Sequence, residues 1–241
     1  MSKLNSEWLI GPHGPAEELD DGLLTVAGEI RMPLGNFPRR MTAVRLKSGK
    51  VAIWSAMSVS EPVLKRIQEM GEIGFLIVPG IGHRLDIIAW RRRFPNAKVL
   101  CSPCAKKMVE EAVKVDATRD VLEDSAVTFR TLAGVGEKES ALIVKRKDGT
   151  SLVLNDVLAN VRHPRGLGAE VMARALGFGV RRPRMPRIGK RMFVTDQKAL
   201  ANDFRELAGL PKLKRIIVSH GDVIADDPEG TLRGVAKDLD S

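Results

Sequence analysis

The segment Phe75–Asp86 constrains the fold more than any other part of the chain. It begins with a continuous apolar run, is interrupted at Pro79 and Gly80, and presents His83 just before a helical pattern. A short apolar run that ends in a glycine-containing turn is typical of a buried strand whose end lies at the edge of a sheet. A histidine in such a turn is well placed to act as a ligand or a catalytic base.

Two later segments have the same form. The strand pattern at 151–154 leads to Asp156, and the strand pattern at 215–218 leads to His220. Strand ends that carry His, Asp and His predict one site, assembled from distant parts of the chain around His83, Asp156 and His220.

The order of the predicted elements indicates a layered α/β protein. Strands and helices alternate up to residue 115, three strands follow within 126–156, and the remainder is mainly helical. Two halves that each place strands before helices predict an αββα sandwich of class α/β (α+β), with two sheets face to face and helices outside. Residues 1–22, with three glycines and two prolines, are predicted to be an irregular lead-in, and 23–241 a single domain.

The composition limits the cellular location and the classes of partner that we expect. The 241 residues contain two cysteines and no apolar run near the roughly 20 residues of a membrane helix, and no signal peptide is recognised at the N-terminus. We therefore expect a cytoplasmic protein without a membrane partner. The formal charge of +9 favours an anionic small molecule or a polyanion as the partner. The oligomeric state does not follow from the sequence.

Five segments, taken together and in order, resemble the metallo-β-lactamase fold superfamily. The resemblance is closest to a functionally uncharacterised branch with a degenerate metal motif, and it covers most of the chain. The segments, in order, are RMTAVRL at 40–46, PGIGHRL at 79–85, FPNAK at 94–98, NDVLAN at 155–160 and SHGD at 219–222.

The motif that binds metal in this superfamily is only partly present. Its His-x-His-x-Asp-His loop falls on residues 78–83 and retains only the last histidine, His83. The histidine expected near 132–136 is absent, whereas Asp156 matches the bridging aspartate and His220 the last histidine. The other loop ligands are replaced by Val78, Gly80 and Gly82. The resemblance implies that the first metal site is lost and that three ligands of the second remain.

The three remaining ligands imply that the protein binds one metal ion, zinc or alternatively iron or manganese. The resemblance also implies that Asp156 is a catalytic residue. A His2Asp set with an open position can activate water. The protein would then hydrolyse an ester, thioester or phosphoester of an anionic substrate. Asp86 and His163 are possible additional ligands, although Asp86 is also explained as a charge near a helix N-terminus and His163 as a loop residue. The alternative is a relative without metal or catalysis that binds nucleic acid or a phosphorylated ligand.

Residues 181–191 form the densest basic segment. Six of these eleven residues are basic, and the prolines and the glycine predict a loop instead of a regular helix. The loop is either a phosphate-contacting arm or a solvated surface, and it has no aromatic residue for base stacking. The candidate anion-binding residues are Arg181, Arg182, Arg184, Arg187, Lys190 and Arg191.

Cys101 and Cys104 form a Cys-x-x-Cys pair at a predicted strand-to-helix junction. A redox role would require a lowered thiol pKa at the helix N-terminus. Neither a second pair nor a thioredoxin-like context accompanies it, so a structural role is the favoured interpretation.

Overall fold

The computed structural model describes residues 4–32, 35–164 and 166–240. In these ranges the strands are β1 (His13–Asp20), β2 (Leu23–Met32), β3 (Gly35–Arg45), β4 (Lys50–Trp54), β5 (Glu72–Val78), β6 (Lys98–Cys101), β7 (Val127–Thr131), β8 (Ser140–Arg146), β9 (Gly149–Leu154) and β10 (Leu213–Val218). The helices are α1 (Glu61–Gln68), α2 (Ile87–Arg93), α3 (Lys106–Glu110), α4 (Leu167–Leu176), α5 (Arg187–Phe193), α6 (Gln197–Ala208) and α7 (Pro228–Asp240).

The strands form two sheets. The first has the order β1-β2-β3-β4-β5-β6, and the second has the order β10-β9-β8-β7. Strands β4, β5 and β6 run parallel to one another, and β10 runs parallel to β9. Carboxyl ends of neighbouring parallel strands lie at the same edge of a sheet, and this places the loops after β4 and β5 together and the loops after β9 and β10 together.

Alternate residues of the central strands face different layers. Leu76 packs between the first sheet and its helices, whereas Ile77 packs between the two sheets. In the second sheet Leu152 faces the layer of α6 and α7, and Val153 faces the other sheet. Burial of both faces explains the continuous apolar runs of these strands. The αββα sandwich predicted from the sequence is therefore confirmed.

The prediction of an irregular lead-in over residues 1–22 was wrong for residues 13–20. This segment is the edge strand β1, which pairs antiparallel with β2 and has register shifts between His13 and Ala16 and between Glu18 and Asp20. Proline and glycine are tolerated there because an edge strand need not donate every backbone N–H to a neighbour.

The prediction of a loop throughout 181–191 was also wrong. Helix α5 begins at Arg187, directly after Pro186, which precedes the helix and so removes none of its internal hydrogen bonds. The glycine within it, Gly189, is buried, and a Cβ there would lie 2.9 Å from the backbone oxygen of Asp156. The glycine therefore permits close packing of α5 against the segment that carries Asp156.

The two cysteines occupy different environments. Cys101 is buried at the end of β6, and Cys104 is exposed. Burial raises the pKa of the Cys101 thiol to about 11, and the charge of Glu110 contributes in the same direction. A redox pair needs the opposite shift at one thiol, and so the environment of Cys101 supports the structural interpretation.

We expect one fast-reacting thiol in the native protein. Titration with a disulfide reagent such as DTNB should modify Cys104 readily and Cys101 only after denaturation, because the thiolate is the reactive form. Cys104→Ser should remove the fast phase, and Cys101→Ser should retain it. Two equally fast thiols in the native protein would contradict this assignment.

Candidate metal centre

Three side chains from three strand ends meet at one point. His83 lies in the loop after β5, Asp156 follows β9, and His220 follows β10. The Oδ1 atom of Asp156 lies 3.2 Å from Nε2 of His83 and 3.0 Å from Nε2 of His220. All three ligand atoms lie within 4.8 Å of one another. The structure thus brings together the three residues that the sequence pointed to.

The remaining nitrogen of each imidazole is held by a hydrogen bond. Nδ1 of His83 lies 2.7 Å from Oγ of Ser55, a residue at the end of β4 with a φ of +55°. Nδ1 of His220 lies 2.8 Å from the carbonyl oxygen of Pro38 in β3. Because a carbonyl can only accept, Nδ1 of His220 carries the proton and, in the neutral ring, Nε2 presents its lone pair towards Asp156. Such a second hydrogen bond is usual for metal-ligating histidines.

Burial and mutual charge set the protonation of the cluster. Burial lowers the pKa of His83, against the opposing charge of Asp156. Burial also disfavours the charged form of His220, but the hydrogen bond and the charge of Asp156 outweigh it and raise the pKa of His220. Asp156 has its pKa depressed because the two imidazoles overcome the effect of burial. The cluster therefore holds a carboxylate together with one ring that favours the neutral form and one ring that binds a proton more readily than a free histidine.

The donor set fits one divalent metal ion. Two imidazole nitrogens and a carboxylate oxygen are zinc ligands, and a tetrahedral site with arms of about 2.0–2.1 Å places ligand atoms roughly 3.3 Å apart. The observed separations of 3.2 Å and 3.0 Å from Asp156 are close to that spacing. Among the described residues, this His/Asp/His group is the one that could hold a metal.

Solved structures of similar shape identify the architecture. The structure matches that of TMB-1 with a TM-score of 0.64 and 13% identity, over 96% of this chain and 100% of that one. It matches the metallo-β-lactamase DIM-1 with a TM-score of 0.63 and 10% identity, over 95% and 99% of the two chains. A metallo-β-lactamase from Hirschia baltica gives 0.61 and 11% identity, over 92% and 98%.

The chain has the metallo-β-lactamase fold. Sequence identities of 10–13% show the fold alone. No protein-family model matches the chain, and no curated protein does.

Within this metallo-β-lactamase fold, a carboxyl group fills the space beside the degenerate loop. Glu139, directly before β8, is fully buried, and its Oε2 accepts a hydrogen bond from the backbone N–H of Asp156 at 3.3 Å. A Cβ on Gly80 would lie only 2.1 Å from Oε1 of Glu139 and 3.0 Å from Nδ2 of Asn155. Burial, followed by the charge of Asp156, raises the pKa of Glu139 well above its usual range. No histidine fits at position 80 while Glu139 keeps this place.

Sequence reasoning missed Glu139, although one signal was available. An acidic residue stands immediately before the apolar strand β8, close to the region where the resemblance leads one to expect a further histidine. It missed Ser55 and Pro38 as well. Ser55 follows β4 and Pro38 lies in β3, and only folding of the chain brings them next to the two imidazoles.

Asp86 is placed differently from either expectation. It precedes α2, but its side chain makes no capping hydrogen bond. Its Oδ2 instead lies 2.8 Å from Nη1 of Arg39, and its Oδ1 accepts from Asn5 at 2.8 Å and from Ser58 at 3.2 Å. Asp86 thus anchors Arg39 and lies outside the His/Asp/His group found among the described residues.

His163 is exposed and lies outside that group as well. It lines a separate polar groove with His13, Arg40 and Asp222. The guanidinium of Arg40 in this groove donates to the carbonyl oxygen of Gly221, the residue after His220.

The six candidate anion-binding residues have different surroundings. Arg182 binds both carboxylate oxygens of Asp238, and the backbone of Arg184 pairs with that of Ala159. The other four lie in or near α5, and Lys190 and Arg191 have no acidic partner among the described residues. Their role towards an anion stays a prediction. Of the described helices, none is both long and apolar enough to span a bilayer.

Proposed function

We propose that this protein is a hydrolase that uses a single divalent metal ion, zinc or alternatively iron or manganese, on an ester, thioester or phosphoester. The observation that carries the proposal is the orientation of the two imidazoles. Each turns Nε2 towards Oδ1 of Asp156, and each has Nδ1 engaged by a hydrogen-bond partner, Ser55 or Pro38. Two imidazole nitrogens and a carboxylate oxygen directed at one point form a donor set that a cation between them would stabilise.

The residues of the centre divide the work of hydrolysis. His83, Asp156 and His220 would hold the ion, which when bound supplies Lewis-acid chemistry and lowers the pKa of water. Asp156 is the carboxylate among the residues lining the adjoining cavity, and so we assign it the further role of accepting a hydrogen bond from the attacking water and orienting it. Arg39 also lines this cavity, and its charge lowers the pKa of both histidines. It therefore supplies positive charge where negative charge develops on the substrate.

The reaction adds one water across the scissile bond. The water oxygen bonds to the acyl carbon or phosphorus, and the bond to the alcohol or thiol breaks. The acid keeps the hydroxyl group, and the leaving group takes the remaining proton. The side chain of Glu139 occupies the space beside Gly80, where the resemblance would place a ligand of the first metal site, and this supports one ion and not two.

Metal content and hydrolysis, measured together, test the proposal. The full chain, purified without chelator, should contain about one ion per molecule by elemental mass spectrometry, and His83→Ala and His220→Ala should lose it. His163→Ala is the matched control, because it removes an exposed histidine outside the group, and its metal content should equal that of the parent. Hydrolysis of 4-nitrophenyl butyrate, a thioester and 4-nitrophenyl phosphate should depend on the same two histidines.

A parent protein that takes up no metal even in excess zinc would overturn this function. The protein would then be a non-catalytic member of its fold that binds an anionic partner through Lys190, Arg191 and neighbouring cations. Such binding would weaken steeply with salt and would not change in His83→Ala.

A further inference from the structure

The centre opens into a cavity that is largely apolar. The cavity measures about 300 Å³, and its polar side chains are the three of the centre and Arg39. The guanidinium of Arg39 is already held by Asp86 and by the carbonyl oxygen of Ala56. Apolar side chains make up the walls, among them Ile30, Phe37, Ile81, Phe178, Ile188 and Met192. A hydrocarbon group is therefore the natural occupant next to the reacting atoms.

Helix α5 forms one wall of this cavity and carries positive charge on its outside. Ile188 and Met192 line the cavity and remain 41% and 55% exposed, so they form its rim. Lys190 and Arg191 lie between them in sequence, with no acidic partner among the described residues. One short helix thus carries both apolar side chains of the cavity rim and, between them in sequence, two cationic side chains.

We propose that the substrate is an anionic amphiphile: an ester or thioester whose apolar acyl chain enters the cavity and whose anionic alcohol or thiol part lies on α5. The inference rests on the proposed hydrolase function and specifies its substrate class. The cavity of about 300 Å³ lies at the lower end of the range of ligand pockets, which favours a medium-length acyl chain over a long one. Water addition to the acyl carbon then breaks the C–O or C–S bond, which releases a medium-chain acid and the anionic alcohol or thiol.

Binding of alkyl phosphates tests this arrangement without any hydrolysis. Isothermal titration of butyl, octyl and dodecyl phosphate, below micelle-forming concentrations, should be done with the full chain both as purified and after chelator treatment. Affinity should rise by about fourfold per methylene from butyl to octyl. It should rise much less from octyl to dodecyl, because further methylenes lie outside the filled cavity. Octanol should bind more weakly than octyl phosphate, and the difference should shrink with salt.

Two pairs of variants test where the alkyl chain and the phosphate group of octyl phosphate bind. Met192→Glu should reduce octyl phosphate affinity at least tenfold by placing a charge at the apolar rim. Val171→Glu is its control, because Val171 on α4 is 65% exposed but does not line the cavity. Lys190→Gln with Arg191→Gln should weaken binding about threefold to tenfold and leave octanol binding unchanged. Lys65→Gln with Arg119→Gln carries the same charge change elsewhere on the surface and should have little effect.

Three outcomes would overturn the proposal. Affinity that does not depend on chain length would show that the cavity is not the acyl site. An unchanged affinity in Met192→Glu would lead to the same conclusion. Binding that is insensitive to Lys190 and Arg191 but lost in His83→Ala would show the reverse orientation, with phosphate at the centre. Since the chelated protein is tested too, failure of the metal proposal leaves these readouts intact, and failure here leaves the metal content unaffected.

Discussion

Gly80→Ala is expected to destabilise the protein by about 2–3 kcal/mol, because an added methyl group displaces a fully buried carboxyl from its hydrogen bond. The Cβ would lie 2.1 Å from Oε1 of Glu139, well inside any contact that real atoms make. Glu139 is held in turn by its hydrogen bond to the backbone N–H of Asp156. The effect should appear as a lower midpoint of denaturant unfolding at an unchanged m-value.

Gly82→Ala is the matched control from the same loop. Its Cβ would meet only Oδ2 of Asp156, at 3.7 Å, which is an ordinary contact. We expect a change within about 0.5 kcal/mol. Equal destabilisation by the two substitutions would mean that the loop resists any side chain, and the explanation through Glu139 would fail.

A double-mutant cycle isolates the contact between positions 80 and 139. Glu139→Ala alone should destabilise the protein, because it opens a cavity and leaves the backbone N–H of Asp156 without its partner. In the Gly80→Ala background the same change also removes the clash. The double variant should therefore be less destabilised than the sum of the two single variants, by about 1–3 kcal/mol. Strict additivity would contradict direct contact. A positive result would support the proposal of one metal ion in place of two.

Asp156→Asn is expected to weaken zinc binding by more than about 100-fold. This exceeds the 10–100-fold loss that is typical when the removed group only hydrogen-bonds to a metal ligand. The substitution keeps the size of the side chain but removes the charge that lies 3.2 Å and 3.0 Å from the two imidazole nitrogens. It retains the backbone N–H that binds Glu139, so the fold should persist. Competition with a chromophoric zinc chelator measures the affinity, and hydrolysis should be lost in parallel.

Asp196→Asn serves as the control for Asp156→Asn. Asp196 caps α6 by accepting a hydrogen bond from the backbone N–H of Ala199, and it is not among the residues that line the cavity. Asparagine caps a helix equally well. Zinc affinity should be unchanged in this variant. If Asp156→Asn retained parental zinc affinity, Asp156 would not be a ligand and the proposed centre would be wrong.

The ends of three buried strands carried most of what the sequence revealed about the site. The runs before His83, Asp156 and His220 are apolar because their strands are buried on both faces, and this local pattern is readable without the fold. Parallel pairing of β9 with β10 then makes proximity of Asp156 and His220 a consequence of sheet geometry. The layered architecture could be predicted from the order of strands and helices, because these elements too are recognised by local apolar patterns.

Helix α5 and strand β1 show where local signals failed. Proline and glycine lower the intrinsic preference for both structures, but packing of Gly189 on Asp156 and pairing of β1 with β2 outweigh that preference. Propensities amount to about 1 kcal/mol per residue or less for most residues, so tertiary contacts easily override them.

The sequence by itself determined the αββα architecture and the three side chains of the centre, since both depend on hydrophobic periodicity and on strand ends. The tertiary structure alone decided what surrounds them. Ser55 and Pro38 fix the two imidazoles, and Glu139 fills the space beside Gly80. It also redirected Asp86 to Arg39. These contacts join residues 28 to 182 positions apart, and no local pattern specifies a partner at such a distance.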